Sequence, residues 1–315
     1  MRATLAATCL ATALLACRGG ARPDPEFRPD VRSPAFARGA GPRVAIDAGH
    51  RNRHTLDGRY GPLGALLAAD GWRVEPLRGA FTPAALEGLG VLVVAGAAGE
   101  DALHPALADA EVEVVERFVR AGGGLLLVAD HVPFAEAVRP LARRFGIELL
   151  GGEVRDPDHR EPGTRDPAQL LFTRGDGTLG RHAILEGRAP DERVDRVVTF
   201  TGSALSAPPP AAPLLVLSPA AADMVVQKIV VERGWFDDRT RITLDGPVPT
   251  RGNAQAAAVA WGRGRVVVFG EAAVLTAQVE RASGRFGLDW PGAHNRRLAL
   301  NVVRWLGGAL PEDGR

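Results

Sequence analysis

Four polar side chains follow the apolar run at residues 44–46, within eight residues: Asp47, His50, Asn52 and His54. The run before them, residues 44–46, is typical of a buried strand. In open α/β sheets, ligands bind where the chain leaves the carboxyl ends of strands. A carboxylate, two imidazoles and an amide can bind a divalent cation or perform acid–base chemistry. This segment is therefore the first candidate catalytic site.

Each of these side chains also has a structural interpretation. Asp47 is placed to cap the turn after the strand through an Asx hydrogen bond. His50 and His54 are four residues apart, a spacing that brings side chains together on a helix, but Gly49 indicates a loop. The spacing alone is weak support for a metal, so the cofactor is left unassigned.

Two later apolar runs also end in ionisable residues. Asp130 and His131 follow Leu-Leu-Leu-Val-Ala, and Glu271 comes shortly after Arg-Val-Val-Val-Phe. Parallel strands deliver their carboxyl ends to one edge of a sheet. We expect the first and fourth strands to be neighbours, so that Asp130 and His131 share a pocket with Asp47, with Glu271 nearby. The alternative is that Asp130 caps the helix that follows it.

Three carboxylates in one crevice would repel each other. Something must offset this repulsion: a protonated histidine, a bound cation, or a raised pKa of one carboxyl group. The sequence leaves these three alternatives open.

The elements that must position these residues alternate regularly. Apolar runs beginning near Val44, Trp72, Val91 and Leu125 are separated by helical patterns, which predicts an α/β fold with a doubly wound parallel sheet. After residue 190 the pattern changes to strands of an antiparallel extension. Residues 151–180 lose the pattern and are expected to form a long surface excursion.

The N-terminus has the features of an export signal. A basic Arg2 precedes an apolar run that is too short to cross a bilayer stably, and the run ends in Leu14-Leu15-Ala16-Cys17. This ending resembles the lipobox of bacterial lipoproteins. The resemblance implies that Cys17 is lipidated, and that the protein is extracytoplasmic and anchored to the cell membrane or outer membrane. The alternative is an ordinary signal peptide with an incidental cysteine.

The sequence divides into four segments. We predict a signal peptide at 1–16, a proline-rich linker at 17–42 that is disordered, an α/β domain at 43–307 and a C-terminal tail at 308–315. Under this division the partner of the lipidated N-terminus is the lipid bilayer.

Composition excludes several function classes. A formal net charge of +1 argues against nucleic acid as a partner. The chain has two cysteines, and Cys9 lies inside the signal, so no disulfide and no thiol nucleophile are expected. The sequence contains no phosphate-binding P-loop, no dinucleotide-binding glycine fingerprint and no nucleophile elbow.

The order of motifs resembles the class I glutamine amidotransferase-like superfamily, in an uncharacterised branch related to trehalose-utilisation-like proteins. The resembling pieces lie at 46–55, 127–133, 181–187, 199–202, 264–272 and 295–306. The resemblance implies a flavodoxin-like fold with a site at the usual edge of the sheet. The catalytic cysteine of glutamine amidotransferases is absent from this sequence, since the corresponding turn is Ala129-Asp130-His131. The later His-x-Glu pair is absent too, so glutamine hydrolysis is not expected.

Two functional hypotheses and one structural hypothesis remain. The first is a hydrolase whose site contains the residues named above, with one carboxylate or imidazole acting as base on water, with or without a metal. The second is a binding lipoprotein that holds a small polar ligand such as a sugar. The third keeps the fold and treats the polar loop as capping.

Overall fold

The computed structural model describes residues 22–100, 104–164, 166–233, 238–280 and 284–311. Cys17, the predicted signal peptide and the end of the predicted tail lie outside the described residues.

The described chain contains helices of two kinds. The α-helices are α1 (Gly61–Ala69), α2 (Asp109–Arg120), α3 (Phe134–Arg144), α4 (Ala183–Glu186) and α5 (Asn295–Leu306). Single 3₁₀ turns lie at Pro190–Glu192 and Ala273–Leu275. None of these helices is long and apolar enough to cross a bilayer.

The first ten strands are β1 (Arg22–Pro23), β2 (Arg43–Asp47), β3 (Arg73–Leu77), β4 (Leu89–Ala95), β5 (Gly124–Val128), β6 (Glu148–Leu149), β7 (Glu153–Arg155), β8 (Leu171–Thr173), β9 (Arg196–Val198) and β10 (Leu205–Ser206). The later strands are β11 (Ala212–Val216), β12 (Ala222–Arg233), β13 (Asp238–Pro249), β14 (Ala254–Trp261), β15 (Gly264–Phe269), β16 (Ala277–Glu280) and β17 (Gly284–Gly287).

A nine-stranded sheet forms the centre of the molecule. Its order is β3-β2-β4-β5-β15-β14-β10-β6, and β11 pairs with β14. The strands from β3 to β15 are parallel, whereas β14, β10, β6 and β11 add in antiparallel pairings. A large, mostly parallel sheet with an antiparallel extension is thus confirmed.

Both faces of the sheet are covered by packed side chains. Successive residues of each strand point to opposite faces and belong to two different cores. Val44 and Ile46 pack on one face with Leu66 of α1 and Leu298 of α5. Ala45 belongs to the core on the opposite face, which contains the apolar sides of α2 and α3.

The predicted adjacency of the first and fourth strands is wrong. β4 lies between β2 and β5, with Ala45 opposite Leu92 and Val94 opposite Leu127. Along the chain, β3 comes between β2 and β4. In the sheet, β3 takes the outer position beside β2. Asp47 and Asp130 therefore leave strands separated by a full strand.

The described part of the predicted linker is packed against the domain. β1 pairs with β16, and Asp24 accepts a 2.6 Å hydrogen bond from Arg285. Phe36 packs edge-on against Trp72, with ring centroids 4.9 Å apart. The Ser33 carbonyl accepts a bond from Arg304. Residues 22–36 therefore belong to the fold, which corrects the expected disorder there.

Residues 151–180 also differ from the expected surface excursion. β7 pairs with β12 and β8 pairs with β9. Four apolar side chains of this segment are buried in the core: Val154, Leu170, Phe172 and Leu179. The sequence did not indicate these strands, because each is only three residues long and lies among glycine and charged residues.

Candidate functional site

Asp130 and Glu271 occupy matching positions at the ends of neighbouring strands. Val128 pairs with Phe269 in the parallel β5–β15 ladder, and each carboxylic residue follows two positions later. The ladder continues through a 2.8 Å hydrogen bond from the Ala129 N–H to the Phe269 carbonyl. We call Asp130 and Glu271 the carboxyl pair.

Glu271 is the inner member of the carboxyl pair and is fully buried. Its Oε1 accepts the Ala273 N–H at 2.7 Å and its Oε2 accepts the Val274 N–H at 2.8 Å, which caps the following 3₁₀ turn. Burial, together with the charge of Asp130, raises the pKa of Glu271 well above its usual range, against the effect of the two backbone bonds. Burial and the neighbouring charge of Asp130 therefore favour the protonated form of the Glu271 carboxyl group.

Asp130 is the outer member of the carboxyl pair. Its side chain is 15% exposed, and its Oδ1 accepts the His131 N–H at 2.8 Å. The main-chain carbonyl of Asp130 accepts a bond from the buried Ser203 hydroxyl at 3.2 Å. The backbone is thus fixed while the carboxylate reaches solvent.

His131 lies at the same rim as Asp130. Its side chain is 19% exposed, and its Nε2 is 3.8 Å from Asp130 Oδ1. Nδ1 is 2.8 Å from the Val132 carbonyl, which can only accept, so Nδ1 carries a proton. Nε2 is therefore the ring nitrogen on the side of Asp130.

Tyr60 lies behind the carboxyl pair. It is fully buried, and its hydroxyl donates to the Ala272 carbonyl at 3.3 Å. Burial and the nearby charges of Glu271 and Asp130 raise the pKa of Tyr60 well above its usual range. Tyr60 therefore stays neutral and adds no charge to the site.

His54 packs against Tyr60, with ring centroids 5.0 Å apart. The His54 side chain is almost fully buried, and its Nδ1 has no hydrogen-bond partner among the described residues. Burial, with the positive charges of Arg59 and Arg53, lowers the pKa of His54 to about 3. His54 is therefore neutral, with an unpartnered buried nitrogen.

Backbone pairing over the end of β4 directs His54 toward Tyr60. The Arg53 N–H donates to the Gly96 carbonyl at 2.9 Å, and the His54 N–H donates to the Ala95 carbonyl at 3.3 Å. Gly96 has a φ of 63°, and a Cβ there would lie 3.0 Å from the His54 ring. A glycine at this position leaves room for the imidazole.

Asp47 belongs to a second, separate group of residues. It is fully buried, and its Oδ1 accepts the Gly49 N–H at 2.9 Å. Its Oδ2 contacts His50 Nδ1 at 2.8 Å and accepts the Asn52 amide at 2.5 Å. Asn52 also accepts the Ala95 N–H through its Oδ1. Asp47 caps this turn, as the structural interpretation expected.

His50 connects the turn to the start of α2. Its Nε2 is 2.9 Å from Glu111 Oε1, and Glu111 also accepts the N–H groups of Phe81 and Ala108. Burial alone would lower the pKa of His50, but hydrogen bonds and charge from Asp47 and Glu111 raise it to about 9. His50 is thus a cation held between two carboxylates, a group we call the Asp47–His50–Glu111 network.

The contacts of the seven predicted site residues fall into three sets. Asp130, His131 and Glu271 lie at the ends of β5 and β15, and His54 lies at the end of β4 against Tyr60. Asp47, His50 and Asn52 serve the network under the N-terminus of α2. The described residues contain no group of three or more His, Cys, Asp or Glu side chains placed to bind one metal ion.

Sequence reasoning missed Tyr60, Ser203 and Glu111. Tyr60 follows His54 by six residues in the same loop and could have been found from this proximity. Glu111 is far from His50 in sequence and sits among other acidic residues of α2, so its role had no sequence signal.

Comparison with solved structures shows the fold at low sequence identity. The mmIFT52 N-terminal domain has a TM-score of 0.57 and 17% identity, covering 84% of this chain and 96% of that chain. A ThuA-like protein from Bacteroides uniformis has a TM-score of 0.45 and 12% identity, covering 88% and 93%. Cytoplasmic protein STM1381 from Salmonella typhimurium has a TM-score of 0.47 and 12% identity, and the match covers 84% of this chain and 99% of that chain. No family model and no curated protein matches the sequence.

Proposed function

We propose that this chain is a membrane-anchored extracytoplasmic hydrolase with a flavodoxin-like, amidotransferase-like fold. The observation that carries the proposal is the carboxyl pair. Two carboxyl groups follow adjacent parallel strands at matching positions, one of them buried with a raised pKa and the other in contact with solvent. Pairs of titratable groups in contrasting environments are typical of acid–base sites.

In this proposal Asp130 is the general base. Its carboxylate takes a proton from a water molecule as the water oxygen bonds to the electrophilic atom of the substrate. The bond to the leaving group breaks, and His131, protonated at Nε2, returns a proton to the leaving atom. The proton on Asp130 and the vacancy on His131 are then restored by exchange with solvent.

Glu271 and His54 are positioning residues in this scheme, because both lie behind the exposed rim. The raised pKa of Glu271 reduces the negative charge that the carboxyl pair carries beside Asp130. His54 lies beyond Tyr60 and keeps that side of the site neutral. The substrate therefore meets Asp130 and His131 directly.

A direct test compares three full-length proteins in detergent micelles: wild type, Asp130→Asn and Asp57→Asn. Asp57 is exposed and pairs with Arg78 on the surface, so it is a matched control. The assay uses p-nitrophenyl acetate, phosphate and glycosides. We expect Asp130→Asn to lose on the order of 100-fold or more in rate, and Asp57→Asn to keep the wild-type rate. Equal rates in wild type and Asp130→Asn would contradict the proposal.

The second candidate function is binding of a small polar ligand, such as a sugar, without turnover. Glu271 and Tyr60 are completely buried, so Asp130 and His131 are the side chains that a ligand can contact. This small polar contact surface favours the binding function. Absence of turnover on every substrate, together with sugar-dependent thermal stabilisation that Asp130→Asn abolishes, would support this function over hydrolysis.

Membrane anchoring rests on the Leu-Leu-Ala-Cys sequence before Arg18. Cys17→Ser should move the protein from the detergent phase to the aqueous phase in phase-separation experiments and abolish lipid labelling. Cys9→Ser, inside the predicted signal, is the matched control and should leave partitioning unchanged. Unchanged partitioning of Cys17→Ser would exclude the anchor.

A further inference from the structure

A cavity of about 530 Å³ lies between residues 30–33 and the N-terminal half of α5. Its volume is within the range of roughly 300–1,000 Å³ that small-molecule sites occupy. None of the residues around the carboxyl pair lines it. The packed N-terminal segment forms one wall, so the cavity depends on the part of the chain that had been expected to be a linker.

Most of the arginines around this cavity are already paired with carboxylates. Arg285 pairs with Asp24, and Arg304 makes a buried pair with Asp70. Arg296 pairs with the lining residue Asp289. These guanidinium groups are held by the fold and are not available to a ligand.

Arg297 differs from these three arginines. Its side chain is half-buried, and its guanidinium contacts the Arg193 carbonyl at 3.1 Å and the His294 ring at 3.5 Å. Among the described residues it has no carboxylate partner. A guanidinium without a carboxylate partner can bind the carboxylate of a ligand through two parallel hydrogen bonds.

His294 adds a second donor beside Arg297. Its Nδ1 accepts the Asp195 N–H at 3.0 Å. Burial, followed by the charge of Arg297, lowers the pKa of His294, so the ring is neutral and its proton lies on Nε2. Both ring nitrogens are 3.5 Å from Arg297 Nη1, so the Nε2–H group and the guanidinium are close neighbours.

The charge pattern of α5 agrees with this arrangement. The first turn of the helix contains no acidic residue and carries Arg296 and Arg297. Helix N-termini favour negative charge because of the macrodipole and the free N–H groups there. Asp289 already offsets the charge of Arg296, so the charge of Arg297 is the one that a bound anion would offset at this helix end.

The rest of the lining limits the kind of anion. Leu288 and Leu300 are buried apolar side chains, and Trp290 adds an aromatic one. The exposed lining residues carry charges of both signs, since Asp30 and Asp191 are acidic and Arg32 is basic. The apolar side chains beside Arg297 therefore fit an anion that carries its charge on an apolar body.

We propose that this cavity binds a small organic monocarboxylate. Its carboxylate contacts Arg297 and His294, and its apolar or aromatic body packs against Leu288, Trp290 and Leu300. The site is separate from the carboxyl pair, so the proposal stands independently of hydrolysis.

The test measures binding of benzoate and phenylacetate to the full-length protein in detergent by calorimetry and thermal shift, with benzamide as the uncharged analogue. We expect saturable binding of the carboxylates, and affinity for benzamide at least about tenfold lower. Arg297→Gln should weaken benzoate binding at least about tenfold. Arg78→Gln, on an exposed arginine, is the matched control and should bind as wild type does.

A second variant keeps every charge around the cavity and fills part of the cavity volume. Ala293→Trp places a large ring at the cavity wall and should abolish benzoate binding while leaving Arg297 intact. Equal binding of benzoate by wild type and both cavity variants would overturn the proposal. So would absence of carboxylate binding at 20 mM, roughly the weakest affinity that calorimetry resolves, or equal affinity for benzamide. Tighter binding of inorganic phosphate than of benzoate would overturn the monocarboxylate assignment.

Discussion

The imidazoles of His50 and His54 lie four residues apart in one loop and differ in charge at neutral pH, since His50 is a cation and His54 is neutral. His50 contacts Asp47 at 2.8 Å and Glu111 at 2.9 Å, and its pKa rises to about 9. His54 is buried against Tyr60, and its pKa falls to about 3. A single loop therefore supplies a fixed cation to one group of residues and a neutral ring to another.

The first prediction concerns the pH dependence that His50 gives to stability. Its pKa is about 6.5 when unfolded and about 9 when folded, so its stabilising contribution is complete below pH 6.5 and is lost as the pH rises to 9. We expect the free energy of unfolding to fall by roughly 2 kcal/mol across this window, after allowing for solvent screening. Urea titrations at several pH values measure it.

His50→Gln should remove this dependence, and Glu111→Gln should reduce it, because one of the two carboxylates then no longer supports the cation. A wild-type slope between pH 6.5 and 9 that persists in His50→Gln would assign the dependence to other groups.

The second prediction concerns acid stability and His54. The unfolded chain binds a proton at His54 near pH 6.5, but the folded chain does so only near pH 3. The free energy of unfolding should therefore decrease as the pH falls through this window, by up to about 5 kcal/mol. His54→Phe keeps a ring against Tyr60 and should resist acid better than wild type. His104→Gln, at an exposed histidine, is the control, and equal acid sensitivity of all three proteins would refute the prediction.

The third prediction concerns repulsion within the carboxyl pair. Glu271 has a raised pKa when folded, so stability is lost as the pH rises from about 4.5 through that raised value. Asp130→Asn removes the neighbouring charge and should leave the fold as stable as wild type at pH 7, or more stable. Chemical denaturation at pH 5 and pH 8 checks this. A loss of several kcal/mol would mark Asp130 as a structural residue.

The fourth prediction concerns the buried ion pair between Asp70 and Arg304. Arg304 donates to both carboxylate oxygens, at 2.9 Å and 2.6 Å, and both side chains are buried. Asp70→Asn removes the carboxylate charge that neutralises the buried Arg304 guanidinium. The substitution should lower the free energy of unfolding by about 3–5 kcal/mol. Glu75→Gln, in the partly exposed pair with Arg43, should cost about 1 kcal/mol or less. Similar losses in the two variants would refute this difference.

The fold could be read from the sequence where apolar runs are continuous. β4, β5 and β15 are buried on both faces, and their composition shows it. The order of those strands could not be read, because pairing is decided by helix packing and loop length. The position of β4 between β2 and β5 is therefore what separated Asp47 from Asp130.

The candidate site could be predicted in part for the same reason. Asp130 and Glu271 end strands that are visible in the sequence, and β5 and β15 pair directly. The direction of His50 could not be predicted. It has a φ of 44°, a left-handed conformation uncommon for a residue other than glycine, and its partner Glu111 lies on a distant helix.

The place of β15 in the sheet sets when the chain can finish folding during its synthesis. β15 lies between β5 and β14, and α5 follows it, packing against β4, β5 and β15. At about 5–20 residues per second, the ribosome completes β5 roughly ten seconds before β15 is available. Through that interval the β5 edge remains open and the core is incomplete. If the chain is exported as we propose, this late closure keeps it in the unfolded form that a translocation channel accepts.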